Sequence, residues 1–305
     1  MKQKTMKVIA GTLLISMMAS SFADPVLDRI YKKHEVNVGV RDSSAPLSYK
    51  LPDGSHVGMA IDICNSVVDE LKKKDPTIKI NYIPVTSDNR IPMTKEGKID
   101  MECGSTTNNS SRRKDVDFSV PYYNSGIAIV TMRKDNLDSL LDLKKGDTVI
   151  FTKGTTTDKS IFTTKKIVKV DWDAKGIKFI QGKDHQDSFN QLTSGKAKVF
   201  GNDDILIAGL VANSKDPSQY KILPDRFSIE PYGIMTQKGA TDLQDIINNK
   251  IISMMKAVDS DPGSFRSLYK KWFTQPIPPY NRSLNWPMPP LLSDVVRMPT
   301  TAVGN

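Results

Sequence analysis

Two stretches read side by side decide the fold: "SDNRIPMTKEGKIDMECGSTT", Ser87 to Thr107, and "HQDSFNQLTSGKAKVFGNDDI", His185 to Ile205. Each reads as a short helix ending in a Gly-Lys pair, Gly97-Lys98 or Gly195-Lys196. Glycine takes the left-handed cap there without the steric penalty a side chain brings. A strand follows at once in both. Ser87 and His185 each precede their glycine by ten residues, and Ser105 and Asp203 each follow theirs by eight. A common spacing across helix, cap and strand marks a repeat.

Upstream, both copies are preceded by another strand, loop and helix. Val36 to Val40 reads as a strand ending at "RDSSAP", followed by a helix from about Met59 to Lys73. Thr148 to Thr152 reads as a strand ending at "KGTTTD", followed by a weaker helix over Lys159 to Lys165. Strands alternating with helices imply parallel sheets, one in each half. Ligands of open α/β sheets lie beyond the carboxyl ends of the strands. The four strand ends "RDSS", "GSTT", "GTTT" and "NDD" are therefore expected to line one cleft.

Two segments carry the chain between the halves. "YYNSGIAIVTMRKD" reads as a strand leaving the first half near Ile127, and "EPYGIMTQKG" as one returning near Tyr232. The expected division is residues 24–126 with 231–305 in the first lobe and 127–230 in the second. A last helix is expected to start with Asp261 as N-cap and Pro262 at N1. Phe265, Leu268, Tyr269, Trp272 and Phe273 fall at core spacing on it. From about residue 274 the chain is proline-rich and is expected to run as an extended, partly mobile tail.

Composition narrows the class. Lys2, Lys4 and Lys7 precede the apolar run Val8 to Met18, and Ser21-Phe22-Ala23 places small residues where a signal peptidase reads. The run is shorter than the ~20 residues of a membrane span. Cleavage after Ala23 would remove 23 of the 305 residues and leave an exported chain of 282. The net charge of +9 loses those three lysines, and the remaining basic residues are interleaved with acids. That describes a solvated basic surface, which argues against nucleic acid. His34, His56 and His185 are far apart and no Cys-x-x-Cys occurs, so no metal site is expected. Cys64 lies on a core-facing helix. In an exported chain it either pairs with Cys103 or both remain buried thiols, and the spacing does not choose.

The strand ends offer hydroxyls, backbone amides and guanidinium groups, a set suited to a small anion. Asp203 adds a counter-charge for an ammonium group, so the cleft suits an α-amino acid. Arg41, Arg90 and His185, all donors when charged, remain for a second anionic group. No Gly-x-Ser-x-Gly, phosphate-binding loop or zinc motif points to catalysis.

The segments "PVTSDNRIPMTKEGKIDMECGSTTNNSSRRK" and "KDHQDSFNQLTSGKAKVFGNDDILIAGL", with "VLDRIYKKHEVNVGVRDSSAPLSY" before them and "WFTQPIPP" after, carry a resemblance. The chain resembles the periplasmic glutamate/aspartate-binding proteins of ATP-binding-cassette (ABC) importers, within the amino-acid-binding branch of the two-lobed solute receptors. "TSDNRIP" and "ECGSTTNN" are its most specific signatures. The resemblance implies an α/β two-lobed periplasmic-binding-protein fold, with a mainly parallel sheet flanked by helices in each lobe and two crossover segments. It implies L-glutamate or L-aspartate as ligand, an inner-membrane ABC permease as partner, a monomeric periplasmic receptor, and no cofactor. On matching positions it implies that Arg112 clamps the α-carboxylate with Ser105, Thr107 and Thr156, and that Asp203 takes the α-ammonium. The side-chain carboxylate would lie against Arg41, Ser87, Arg90 and His185. Similar two-lobed proteins include a cyclohexadienyl-dehydratase-like enzyme, and a sensor without a transport role is the third reading.

Overall fold

The computed structural model describes residues 24–157 and 171–299. The leader, residues 1–23, and the helix expected over Lys159 to Lys165 lie outside the described residues. Two five-stranded sheets organise the rest.

The first sheet contains β1 (Glu35–Val40), β2 (Lys79–Pro84), β3 (Met101–Cys103) and β4 (Val116–Phe118). The second contains β5 (Ile127–Met132), β6 (Thr148–Thr152), β7 (Lys178–Gly182), β8 (Val199–Asp203) and β9 (Tyr220–Ile222). β10 (Met235–Gln237) returns to complete the first. The strand orders, β2-β1-β3-β10-β4 and β7-β6-β8-β5-β9, correspond one to one. β1 pairs in parallel with β2 and β3, and β6 with β7 and β8. The sheets are mainly parallel, as expected, with one reversed strand in each. β10 runs antiparallel to β3 and β4, and β5 to β8 and β9. The reversed strand in each sheet is the one that arrives from the other lobe. A chain crossing from the ligand-facing end of one sheet enters the next sheet at that same end, so it must run backwards.

Sequence explains the layers. β1 buries Val36, Val38 and Val40, and α1 (Pro25–Lys33) is capped by Asp24, whose carboxylate accepts from the Val26 and Leu27 amides. α2 (Met59–Lys74) buries Met59, Ala60, Ile63, Cys64, Val67, Val68 and Leu71 along its length. Each buried Val, Leu, Ile or Met side chain among them contributes about 1.5–3 kcal/mol. Gly58 starts this helix at φ 139°, where a Cβ would stand 2.2 Å from the Leu47 carbonyl oxygen. Cys64 and Cys103 form a disulfide that staples α2 to β3. The two repeats hold α3 (Arg90–Lys95) and α4 (His185–Thr193), and Gly97 and Gly195 follow them at φ 66° and 78°. α5 (Asp204–Ala212) continues directly from β8.

Beyond β10, α6 (Thr241–Lys256) packs on α2. The next helix, α7 (Phe265–Tyr269), is capped by Ser264, whose hydroxyl accepts from the Ser267 amide. Asp261 instead accepts from the Gly263 amide at 2.8 Å, closing a turn before the helix, so the expected cap is displaced by three residues. The tail is folded. Pro276–Ile277 pairs with Arg282–Ser283, and α8 (Pro290–Arg297) buries Leu292 and Val296 against the first lobe. Apolar residues interleaved with the prolines give it a core face that composition alone hides. Arg282 crosses to the second lobe and donates from Nη1 to the carbonyls of Ala212 and Ser214, at 2.8 and 2.7 Å.

Candidate ligand-binding cleft

The strand ends of the two sheets meet. Gly154, at φ 77°, is one place where the lobes press together: a Cβ there would lie 2.5 Å from Asp88 Cα. Tyr123–Ser125 pairs antiparallel with Glu230–Tyr232 between the sheets, the short ladder through which the chain crosses. Thr107 joins it by a backbone bridge to Tyr232.

One group forms around β1 and α4. Arg41 follows β1 directly and is buried; its Nη2 donates to Ser87 Oγ at 2.6 Å. The same Nη2 lies 3.4 Å from His185 Nε2. His185, also buried, places Nδ1 3.1 Å from both Thr152 Oγ1 and Asn202 Nδ2. Asn202 Nδ2 offers a donor to Nδ1 and Arg41 Nη2 offers one to Nε2, and a neutral ring can accept only one of the two. Burial, reinforced by Arg41 and Arg90, pushes the imidazole pKa well below its ordinary value. His185 is therefore neutral here, a correction to the charged group expected from sequence.

A second group gathers on the Gly154 carbonyl. Arg90, buried at the start of α3, reaches it with Nη2 at 3.4 Å and the Ser105 carbonyl with Nη1 at 3.4 Å. Arg112 reaches it with Nη2 at 3.3 Å and donates from Nη1 to the Thr107 carbonyl at 3.0 Å. Arg113 turns instead to Asn108 Oδ1 within its own loop. Burial, then the neighbouring Arg90 charge, lowers the Arg112 pKa to about 9. Burial and Arg90 likewise lower that of Arg41 to about 10, against the opposing pull of Glu102. Cations held this far from water are short of counter-charge.

Ser105 donates to Ser44 Oγ at 3.2 Å, and Thr156 donates to Glu230 Oε2 at 2.8 Å. Thr156 thus faces the crossing strand, while Arg112 donates to the Thr107 and Gly154 carbonyls. Asp203 Oδ2 accepts from the Tyr232 hydroxyl, while Oδ1 is buried without a partner. Burial, then Glu230, raises the Asp203 pKa to about 7; the Tyr232 bond and Arg112 pull it down, and Asp204 adds to the rise. Arg90 Nε is also buried without a partner, and Arg41 Nη1 makes no hydrogen bond. The cleft holds unsatisfied donors on one wall and an unsatisfied carboxylate oxygen on the other.

Sequence reasoning missed Glu102, Tyr122, Glu230 and Tyr232, all buried around these groups, and gave Asn202 no role beyond its place in "NDD". Only Glu102 left a signal, an acid inside an otherwise apolar strand.

Two α/β lobes with corresponding sheets, strand ends turned to a shared cleft and two crossings define a two-lobed solute-binding protein. Residues 36–275 match the bacterial extracellular solute-binding proteins, family 3, and the chain belongs to that family. It is 34% identical to the L-glutamate/L-aspartate-binding protein of Pseudomonas aeruginosa, over 97% of this chain and 98% of that one. It is also 34% identical to a glutamate/aspartate import solute-binding protein of Salmonella typhimurium, over 93% and 91% of the two chains. Among solved structures, an ancestral amino-acid-binding protein described as a precursor of cyclohexadienyl dehydratase superposes with TM-score 0.67 at 28% identity, covering 81% of this chain and 99% of that one. An ancestral arginine-binding protein bound to arginine gives TM-score 0.66 at 30% identity, covering 79% and 98%.

Proposed function

We propose that this protein binds L-glutamate or L-aspartate in the cleft, closes on it and presents it to an ABC permease in the inner membrane. One observation carries the reading: Arg90 Nε on the first wall, beside the buried Arg41, and Asp203 Oδ1 on the second are both buried without a hydrogen-bond partner. An amino acid with a second carboxylate satisfies both walls. The names of the relatives agree with that chemistry.

In this reading Arg112, with Ser105, Thr107 and Thr156 beside it, takes the α-carboxylate, and Asp203 the α-ammonium. Arg41, Ser87, Arg90 and His185 take the side-chain carboxylate. The lobes are residues 24–126 with 231–305, and 127–230. Ligand touching both walls only when they are together favours the closed state by its differential affinity. The protein acts as an exported monomer, cleaved after Ala23. It holds its ligand and does not transform it. The neutral His185 lies among Thr152, Asn202 and Arg41, and among the described residues no serine or cysteine is hydrogen-bonded to it.

Calorimetric titration against glutamate, aspartate, glutamine and asparagine tests this. The two acids should bind more tightly, raise the melting temperature by mass action and be recovered unchanged. Conversion of the ligand, or equal affinity for acids and amides, refutes it.

A further inference from the structure

Glu102 belongs to none of the roles above, yet it is completely buried on β3 beside the two deepest guanidinium groups. Its Oε2 accepts from Thr106 Oγ1 at 2.7 Å. Its Oε1 has no hydrogen bond and lies 3.9 Å from Arg41 Nη1, which has none either. Gly104 makes the room for this meeting: a Cβ there would stand 2.3 Å from Glu102 Oε1 and 2.6 Å from Arg41 Cγ. Arg90 is stabilised by the same carboxylate.

Two guanidinium groups buried side by side repel one another, and each loses its hydration. One fixed carboxylate offsets one of the two charges and leaves the other. The remainder equals the charge of a single ligand carboxylate; a neutral amide leaves it unpaired.

We propose that Glu102 is a positioning and specificity-determining residue: it holds the Nη1 edge of Arg41 so that Nη2 meets Ser87, and it sets the distal subsite at one net positive charge. The proposal rests on the reading of the cleft as a receptor for acidic amino acids. Thr106 is the lever, because its hydroxyl keeps Oε2 away from Arg41. Gln is isosteric with Glu and keeps an oxygen acceptor for Arg41 while removing the charge.

The test measures the Kd ratio of L-glutamine to L-glutamate in the mature protein and three variants. Glu102→Gln raises the subsite to two net charges and should widen the ratio roughly tenfold, while lowering the ligand-free melting temperature. Glu102→Asp keeps the charge and should hold the ratio within about twofold. Thr106→Val frees Oε2 to turn onto Arg41 and should narrow the ratio, the opposite sign. A purely structural role would weaken both ligands together and leave the ratio alone. A folded Glu102→Gln protein with an unchanged or narrowed ratio overturns the proposal. If that variant does not fold, Thr106→Val decides: an unchanged or widened ratio overturns it. Wild-type protein that fails to bind glutamate at all refutes the receptor reading itself, a separate outcome.

Discussion

Ser87 and His185 hold the same place in the two lobes, ten residues before a left-handed glycine, but their surroundings differ. On the second wall the polar groups are mostly satisfied at home: His185 and Ser188 both bond Thr152 Oγ1, and Asn202 bonds His185. On the first wall Ser87 serves Arg41, and Arg90 reaches out of its own lobe to the Gly154 carbonyl. Three residues after Ser87 and His185, Arg90 on one side corresponds to Ser188 on the other. The first lobe is also stapled by Cys64–Cys103, and no second disulfide occurs among the described residues. A duplicated scaffold thus fixes where strand ends meet, and a few side chains decide that one wall is hungry for anions and the other nearly self-sufficient.

The sharpest way to break this comparison is to remove the cations of the first wall separately. Truncating one partner of a buried charged pair costs about 2–5 kcal/mol, or about 30- to several-thousand-fold in affinity. Arg112→Ala should abolish measurable binding of all four acidic and amide amino acids. Arg90→Ala should hurt the acids most and narrow their advantage over the amides. Tolerance of Arg112→Ala with loss on Arg113→Ala would move the α-carboxylate role by one residue.

Next in size is the staple. The disulfide spans 39 residues of sequence, and loop closure on that scale is worth about 4 kcal/mol in the unfolded chain. Replacing Cys64 and Cys103 together by alanine should lower the melting temperature and speed hydrogen exchange across β1, β2 and β3. Protection of β6, β7 and β8 should change little. Uniform loss across both sheets would mean the lobes unfold as one unit.

The second wall has its own titration. Asp203 has a folded-state pKa raised from 3.8 to about 7, by burial first and then by Glu230 and Asp204, against Tyr232 and Arg112. A raised acid binds a proton in the folded state that the unfolded state has lost, so this group costs stability increasingly from about pH 4 to 7. Binding an ammonium group requires the carboxylate, so below pH 7 binding should release a proton. Affinity should then fall up to roughly tenfold per unit of falling pH. Calorimetry at pH 6 in two buffers of different ionisation heat reads this directly, and zero proton release would remove Asp203 from the ammonium role.

The smallest effect concerns the link between the lobes. Arg282 meets two carbonyls at the C-terminal end of α5, where a cation is favoured by the helix dipole. Arg282→Ala should cost about 1 kcal/mol in thermal or denaturant unfolding and leave the glutamate-to-glutamine ratio untouched. A changed ratio would mean the tail reaches into the choice of ligand.

Much of this was legible in the chain because the signals are local. The repeat of helix, left-handed glycine and strand appears in Gly97 and Gly195 as it does in the backbone. The helix expected from Met59 to Lys73 ends within one residue of α2. The strand ends were placed because alternation of strand and helix leaves them little freedom, and that set Arg41, Ser105, Thr156 and Asp203 among the residues expected at the cleft. The cap at Asp261 was misread for an equally local reason: Gly263 lets the chain turn once more before Ser264 caps the helix.

What sequence by itself determined, then, is the element order, the duplication and a set of polar residues at the strand ends, since periodicity and turn chemistry act over a few residues. Only the tertiary structure decided which of those residues meet. The Cys64–Cys103 bond, the Tyr232 hydroxyl on Asp203, the neutral state of His185 and the burial of Glu102 against Arg41 each join distant parts of the chain. So does the Tyr49 hydroxyl on the Pro278 carbonyl, 229 residues away, which ties down a tail that composition reads as loose. Burial, hydrogen bonding and pKa are properties of what surrounds an atom in space, and no local pattern encodes a neighbour that arrives from the other lobe.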